Sequence, residues 1–146
     1  MAGIIKLNGF TAAISSLLTT ELNSITNNAN TAASAAIDNT TNLDLYCDLT
    51  LTLATQGVAR STGARVAVYL TAALDGTNYD DVNETTAEVW RTFPFDAATT
   101  ARQVTRFRNP IGPGLYKVFA RNLTGQTLAA SGNLLEARFY SLNGNA

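Results

Sequence analysis

The chain of 146 residues contains no histidine. That absence removes the commonest general base, the usual zinc ligand set and the Ser-His-Asp triad together. Carboxylates, arginines, aromatic rings and one thiol remain for chemistry. Asp75, Asp80, Asp81, Glu84 and Glu88 form the one local acid cluster, and a pair of carboxylates is the machinery of glycoside hydrolysis. Asp75-Gly-Thr-Asn-Tyr-Asp-Asp81 also carries oxygen ligands of the kind calcium takes. It lacks the alternate-residue spacing, with glycine at the sixth position, of the twelve-residue calcium loop, so the cluster reads as a solvated loop between strands. Arg102, Arg106 and Arg108 fall on one strand face by the two-residue period, with Val104 beside them and Gln103 and Phe107 opposite. Such a ladder holds phosphates or pairs with carboxylates of a neighbouring subunit. Trp90, Tyr69, Tyr79 and Tyr140 offer rings for stacking on sugars, although a lone tryptophan in the alternating run from Glu88 to Phe93 reads first as core. Cys47 is the only cysteine; it reads as a buried small apolar residue, and no intrachain disulfide staples the fold. No catalytic, metal or cofactor site is expected, and the chain reads as a non-enzyme.

Two kinds of pattern carry these groups. Ile14, Leu17, Leu18, Leu22 and Ile25 recur at spacings of three, four and one, with Ser15, Ser16, Thr19, Thr20, Asn23 and Ser24 between them, which predicts an amphipathic helix over about Thr11 to Thr26. Its threonines are mediocre helix formers, so packing must hold it, and Asn27-Asn28 ends it. The alanines from Ala29 to Ala36 suit either a further helical turn or an extended arm. From Leu43 the period becomes two: Leu43, Leu45, Cys47, Leu49, Leu51 and Leu53 alternate with polar residues, as in a long strand with one buried face. A second strand, Ala64 to Ala73, turns Val66, Val68 and Leu70 inward, and Asp75 to Asn78 is a turn. Further strands follow at Glu88 to Phe95, Arg102 to Arg108, Leu115 to Asn122 and Leu134 to Leu142. Six or more short strands with no helical pattern between them predict a mainly β chain, an antiparallel β-sandwich of jelly-roll type. Residues 1–42 read as an N-terminal helix or arm and residues 43–146 as the sandwich domain.

Composition bounds the partners. One domain is the expected size class. Net charge is −1, too little to draw in nucleic acid or an anionic membrane, and no apolar run approaches the roughly 20 residues of a membrane span. Met1 to Lys6 lacks the pattern of a secretory leader, so synthesis and folding in a cytoplasm are expected. Only 14% of residues are charged, against about 25% in ordinary domains. The run from Leu22 to Ile37 has no charge at all, which suggests a surface meant to lie against a partner. Eight of the ten cations are arginine, the cation suited to contacts between subunits.

Three stretches carry a resemblance: Ser34 to Tyr46, Val68 to Tyr79, and Gly112 to Val118 with Asn122 to Asn133. Together they resemble small structural proteins of tailed-bacteriophage virions, similar to capsid decoration or cement proteins. The resemblance implies a β-sandwich, often trimeric, on the outer surface of the capsid, bridging neighbouring major capsid proteins. It brings no catalytic residues. The expected partners are the major capsid protein and further copies of the chain, with Ile14, Leu17, Leu18, Leu22 and Ile25 as a docking stripe and Arg102, Arg106 and Arg108 as subunit contacts. The alternative is a glycan-binding jelly-roll module of a tail or head fibre, with Trp90, Tyr79 and the acid loop at its site.

Overall fold

A computed structural model describes residues 5–7 and 13–144. Its strands are β1 (Ile5–Leu7), β2 (Ser15–Leu18), β3 (Ile37–Asp38), β4 (Tyr46–Leu53), β5 (Arg65–Ala72), β6 (Glu88–Pro94), β7 (Arg102–Pro110), β8 (Leu115–Leu123), β9 (Leu134–Tyr140) and β10 (Leu142–Gly144). Pairing follows one rule. β2 pairs with β9, β3 with β8, β4 with β7 and β5 with β6, all antiparallel, so the chain runs out through four strands and returns alongside itself. The pairs β4 with β9 and β5 with β8 roll this long hairpin into two sheets, ordered β2-β9-β4-β7 and β3-β8-β5-β6. This is the connectivity of an eight-stranded jelly roll. β1 and β10 form a separate antiparallel ribbon.

The period-two reading holds best in β4, where Cys47, Leu49, Leu51 and Leu53 are fully buried and the residues between them are not. They meet Val66 and Val68 of β5, Val118 and Ala120 of β8 and Leu135 and Ala137 of β9 in one core between the sheets. Each fully buried aliphatic side chain contributes about 1.5–3 kcal/mol through removal from water. Leu43 and Leu45 do not continue the strand. Leu43 adopts a left-handed backbone with φ 54, and both leucines are about half exposed.

The N-terminal helix is not formed. Within its expected span lie the extended β2 and a 3₁₀ turn, Thr20–Leu22; residues 11 and 12 lie outside the described part. Leu18 and Leu22 are fully buried in the core, and Leu17 and Ile25 pack against it. A short strand with an irregular register between Ser16 and Leu18, followed by a tight turn, spaces these apolar residues much as a helix would. β2 and β3 are the outermost strands of the two sheets, so the sandwich takes in residues before 43.

The uncharged stretch also lies against something, namely β8 of its own chain. The amides of Asn28, Thr31 and Ser34 donate to the carbonyls of Asn122, Ala120 and Val118 at 2.7, 2.8 and 2.8 Å, and Ile37 then pairs with Tyr116. This segment therefore spends three residues for every two of β8. The Thr31 and Ser34 hydroxyls supply acceptors of their own, taking the Ala120 and Val118 amides, each at 3.0 Å. Both side chains are buried, and a charge there would be desolvated without a counterion.

The sheets treat their outer faces differently. On the second, Tyr69 and Phe119 stack at 4.8 Å with Ala67, and Ala87 and Leu123 pack onto them. The loop from Ala73 to Ala87 returns over this face, where Glu84 pairs with Arg121 and accepts from the Asn30 amide. The first sheet's outer face instead carries a shallow groove of about 210 Å³ lined by Ile14, Asp48, Thr50, Thr105, Phe107 and Arg138, among others.

Candidate functional site

Of the five apolar residues expected to dock on a partner, the fold uses four itself. Leu18 and Leu22 are core, Leu17 and Ile25 pack on it, and only Ile14, 55% exposed, faces outward. The arginine ladder is likewise divided. Arg102 donates to the Asp96 carboxylate from Nε and Nη2, at 2.9 and 2.6 Å. Arg106 donates from Nε to the Thr92 carbonyl of β6 at 3.0 Å. Arg108 stands apart because pairing to β4 sets Cys47 opposite Asn109 but Leu49 opposite Arg106. Two residues, Phe107 and Arg108, thus face the single Asp48, which is a β-bulge. Arg108 has φ 52, its amide donates to Asp48 Oδ1 at 2.9 Å, and its side chain is exposed and forms no ion pair among the described residues. Phe107 beside it is 71% exposed.

The bulge turns Asn109 inward, where it is fully buried. Its Nδ2 donates to the carbonyls of Cys47 and Arg106 at 2.9 and 2.7 Å, and its Oδ1 accepts from Arg91 Nε. β6 carries a matching irregularity: Val68 faces Arg91 and Tyr69 faces Val89, leaving Trp90 as the extra residue. Trp90 is consequently buried among the core residues, and its Nε1 donates to the Pro110 carbonyl at 3.1 Å. Three side chains, Trp90, Arg91 and Arg106, therefore tie β6 to β7 and close that edge of the sandwich.

Among the described residues, the opposite edge, between β2 and β3, is open. A cleft of about 270 Å³ lies there, lined by Ser15, Ser16, Leu17, Ala35, Ala36, Ile37, Asp38, Asn39, Asn42, Asp44 and Phe139. Among the described residues, its lining has two carboxylates and no cation. Hydrogen bonds from the Thr40 hydroxyl and amide hold Asp38 below its ordinary pKa, whereas partial burial raises that of Asp44.

The residues weighed for sugar binding do not converge. The Tyr79 ring lies 4.3 Å from Lys117 Nζ, on the outer side of the second sheet with Phe119, whereas Trp90 points between the sheets. A cleft of about 490 Å³ beside Trp90 includes Asp80, Glu88 and Arg91, but Tyr79 is not part of it. Asp75 is occupied within its own loop, accepting from the amides of Thr77 and Asn78 and from Asn78 Nδ2 at 2.7–2.9 Å. Cys47 is buried, and loss of solvation pushes its thiol up to about 12, which makes it inert near neutral pH.

Sequence reading missed Arg60. Its side chain is fully buried in the loop between β4 and β5, with Nε on the Asp96 carbonyl and Nη2 on both Asp96 Oδ1 and the Thr100 carbonyl, at 2.9–3.2 Å. Its guanidinium carbon sits 5.8 Å from the centre of the Phe95 ring. Asp96 thus joins Arg60 to Arg102, and the Arg102 hydrogen bond is the main cause of its lowered pKa. The exposed Phe107 was also missed, since period two counts only faces and cannot locate a bulge. No protein-family model matches this chain, and no curated protein matches it in sequence.

Proposed function

We propose that this chain is a non-enzymatic virion structural protein of a tailed phage, a decoration or cement protein that binds the outside of the head and bridges major capsid proteins as a homo-oligomer, a trimer in the first instance. The observation that carries the reading is the unequal treatment of the two sheets. The second sheet folds its own loop over the Tyr69–Phe119 stack on its outer face, with Leu74 and Val82 of that loop and Val89 of β6 still exposed, while the first leaves Ile14 and Phe107 exposed around a shallow groove. An outer face that keeps an exposed aromatic ring beside a groove is a surface suited to a macromolecular partner. The resemblance of residues 34–46, 68–79, 112–118 and 122–133 to small structural proteins of tailed-phage virions supplies the kind of partner.

The mechanism is mass action. A protein that binds the assembled shell and not its separated subunits stabilises the shell by its binding free energy. Several weak contacts on one oligomer reinforce each other through effective concentration. Sedimentation of the purified chain with capsids lacking it is the direct test. Saturable binding at a fixed number of copies per shell, with a rise in the temperature of shell disruption, is the expected result; no co-sedimentation at any concentration removes the reading.

A further inference from the structure

We propose that the Phe107–Arg108 bulge on β7 of one copy seats in the open cleft between β2 and β3 of a second copy, joining the chains head to tail. The two surfaces are complementary in kind. The bulge offers an aromatic ring that is 71% exposed next to an exposed arginine with no ion pair among the described residues. The cleft offers apolar Leu17, Ile37 and Phe139 together with Asp38 and Asp44, and no cation among the described residues. A ring against the apolar side chains and a guanidinium between the carboxylates would satisfy both. Asp44 already bears a desolvation cost that an incoming cation would offset.

Position supports the match. The cleft lies between the outermost strands β2 and β3, and β7 is outermost at the other end of the first sheet. Unpaired strand edges are templates for association. Because donor and acceptor surfaces differ, the contact is heterologous, and it closes into a ring when the rotation between copies divides a full turn. This contact gives the homo-oligomer of the preceding reading its subunit interface and rests on that oligomer, but it requires no shell.

The test is light scattering after gel filtration over a dilution series. It compares the unaltered chain with Phe107→Ala, with Arg108→Glu, with Asp38→Lys/Asp44→Lys, and with the charge-swapped chain carrying all three charge reversals. Circular dichroism and urea unfolding confirm that each variant is folded, and all four positions are at or near the surface. The unaltered chain is expected to be oligomeric. Phe107→Ala and each single-sided reversal should raise the dissociation constant at least ~10-fold, as removal of an interface anchor does. The charge-swapped chain should regain assembly. A monomer at every concentration, an oligomer indifferent to these changes, or a swap that restores nothing overturns the proposal. Loss with Phe107→Ala but not with the Asp38/Asp44 change also overturns it, placing the ring on the outer groove instead. Shell sedimentation separates the two readings: an oligomer built this way that ignores shells removes only the cement function, and a monomer that binds shells removes only this contact.

Discussion

The two edges of the sandwich each consist of the outermost strand of either sheet, yet they are finished in opposite ways. At β6 and β7, both strands are bulged, and the bulges turn Trp90 and Asn109 inward, where their polar atoms and the nearby arginines cross from sheet to sheet. At β2 and β3, no side-chain hydrogen bond among the described residues spans the gap, and a cleft remains. A bulge leaves backbone groups outside the regular ladder, and here that irregularity closes one edge with side chains. The other edge keeps its short strands and, among the described residues, has no such side-chain closure.

The largest expected effect tests whether the open edge is structural at all. Leu22→Ala should destabilise the fold by about 2–5 kcal/mol, the cost of a cavity at a buried leucine, measured by urea unfolding. A negligible loss would mean that the N-terminal segment is a detachable arm. Next comes the closed edge, where Asn109→Ala strands the Arg91 guanidinium and two carbonyls. About 2–3 kcal/mol should be lost, as for a buried network that loses one member. Trp90→Phe keeps an aromatic ring but loses the bond to Pro110 and part of the indole's buried volume, so about 1–2 kcal/mol is expected. Acid sharpens the comparison further. Asp96 has its pKa lowered in the fold, so its contribution is present above the unfolded value of about 4 and is lost as pH falls through the folded one. An acid titration of Asp96→Asn should therefore show a shallower loss of stability below about pH 4 than the unaltered chain. The smallest effect belongs to Ser16→Lys on the open edge. Unfolding stability should change by less than about 0.5 kcal/mol, while dilution-dependent light scattering should report weaker assembly.

How much of this was legible in the sequence differs by element. Cys47 to Leu53 were readable because a strand buried on one face has an unambiguous period. The N-terminal stripe was not, since Leu18 and Leu22 are four apart both on a helix and on a bulged strand followed by a 3₁₀ turn; only the many Ser, Thr and Asn residues argued against the helix. The lack of charge in residues 22–37 pointed to a surface for a partner, whereas the segment packs within its own chain. What it packs on, the chain's own β8, follows from a three-for-two register that no simple periodicity encodes. Among the candidate partner contacts, Arg102 and Arg106 are tied to Asp96 and Thr92 of their own subunit, and Arg108 was separated from them by one extra residue in the strand. Bulges arise from tertiary pairing, so the residues they re-aim, Phe107 and Trp90 above all, could be found only once β4 and β5 were seen beside them.

The pairing of Ile5 with Gly144 has a mechanical consequence. A tension applied between these two residues does not load the ladders in parallel. It peels β1 from β10 one residue pair at a time and then reaches β2 and β9, so the long hairpin opens like a zipper at low force. A load applied elsewhere, across the core strands β4 and β5, would have to shear both sheets at once. The jelly roll should therefore resist pressure and lateral strain far better than a pull on Ile5 and Gly144.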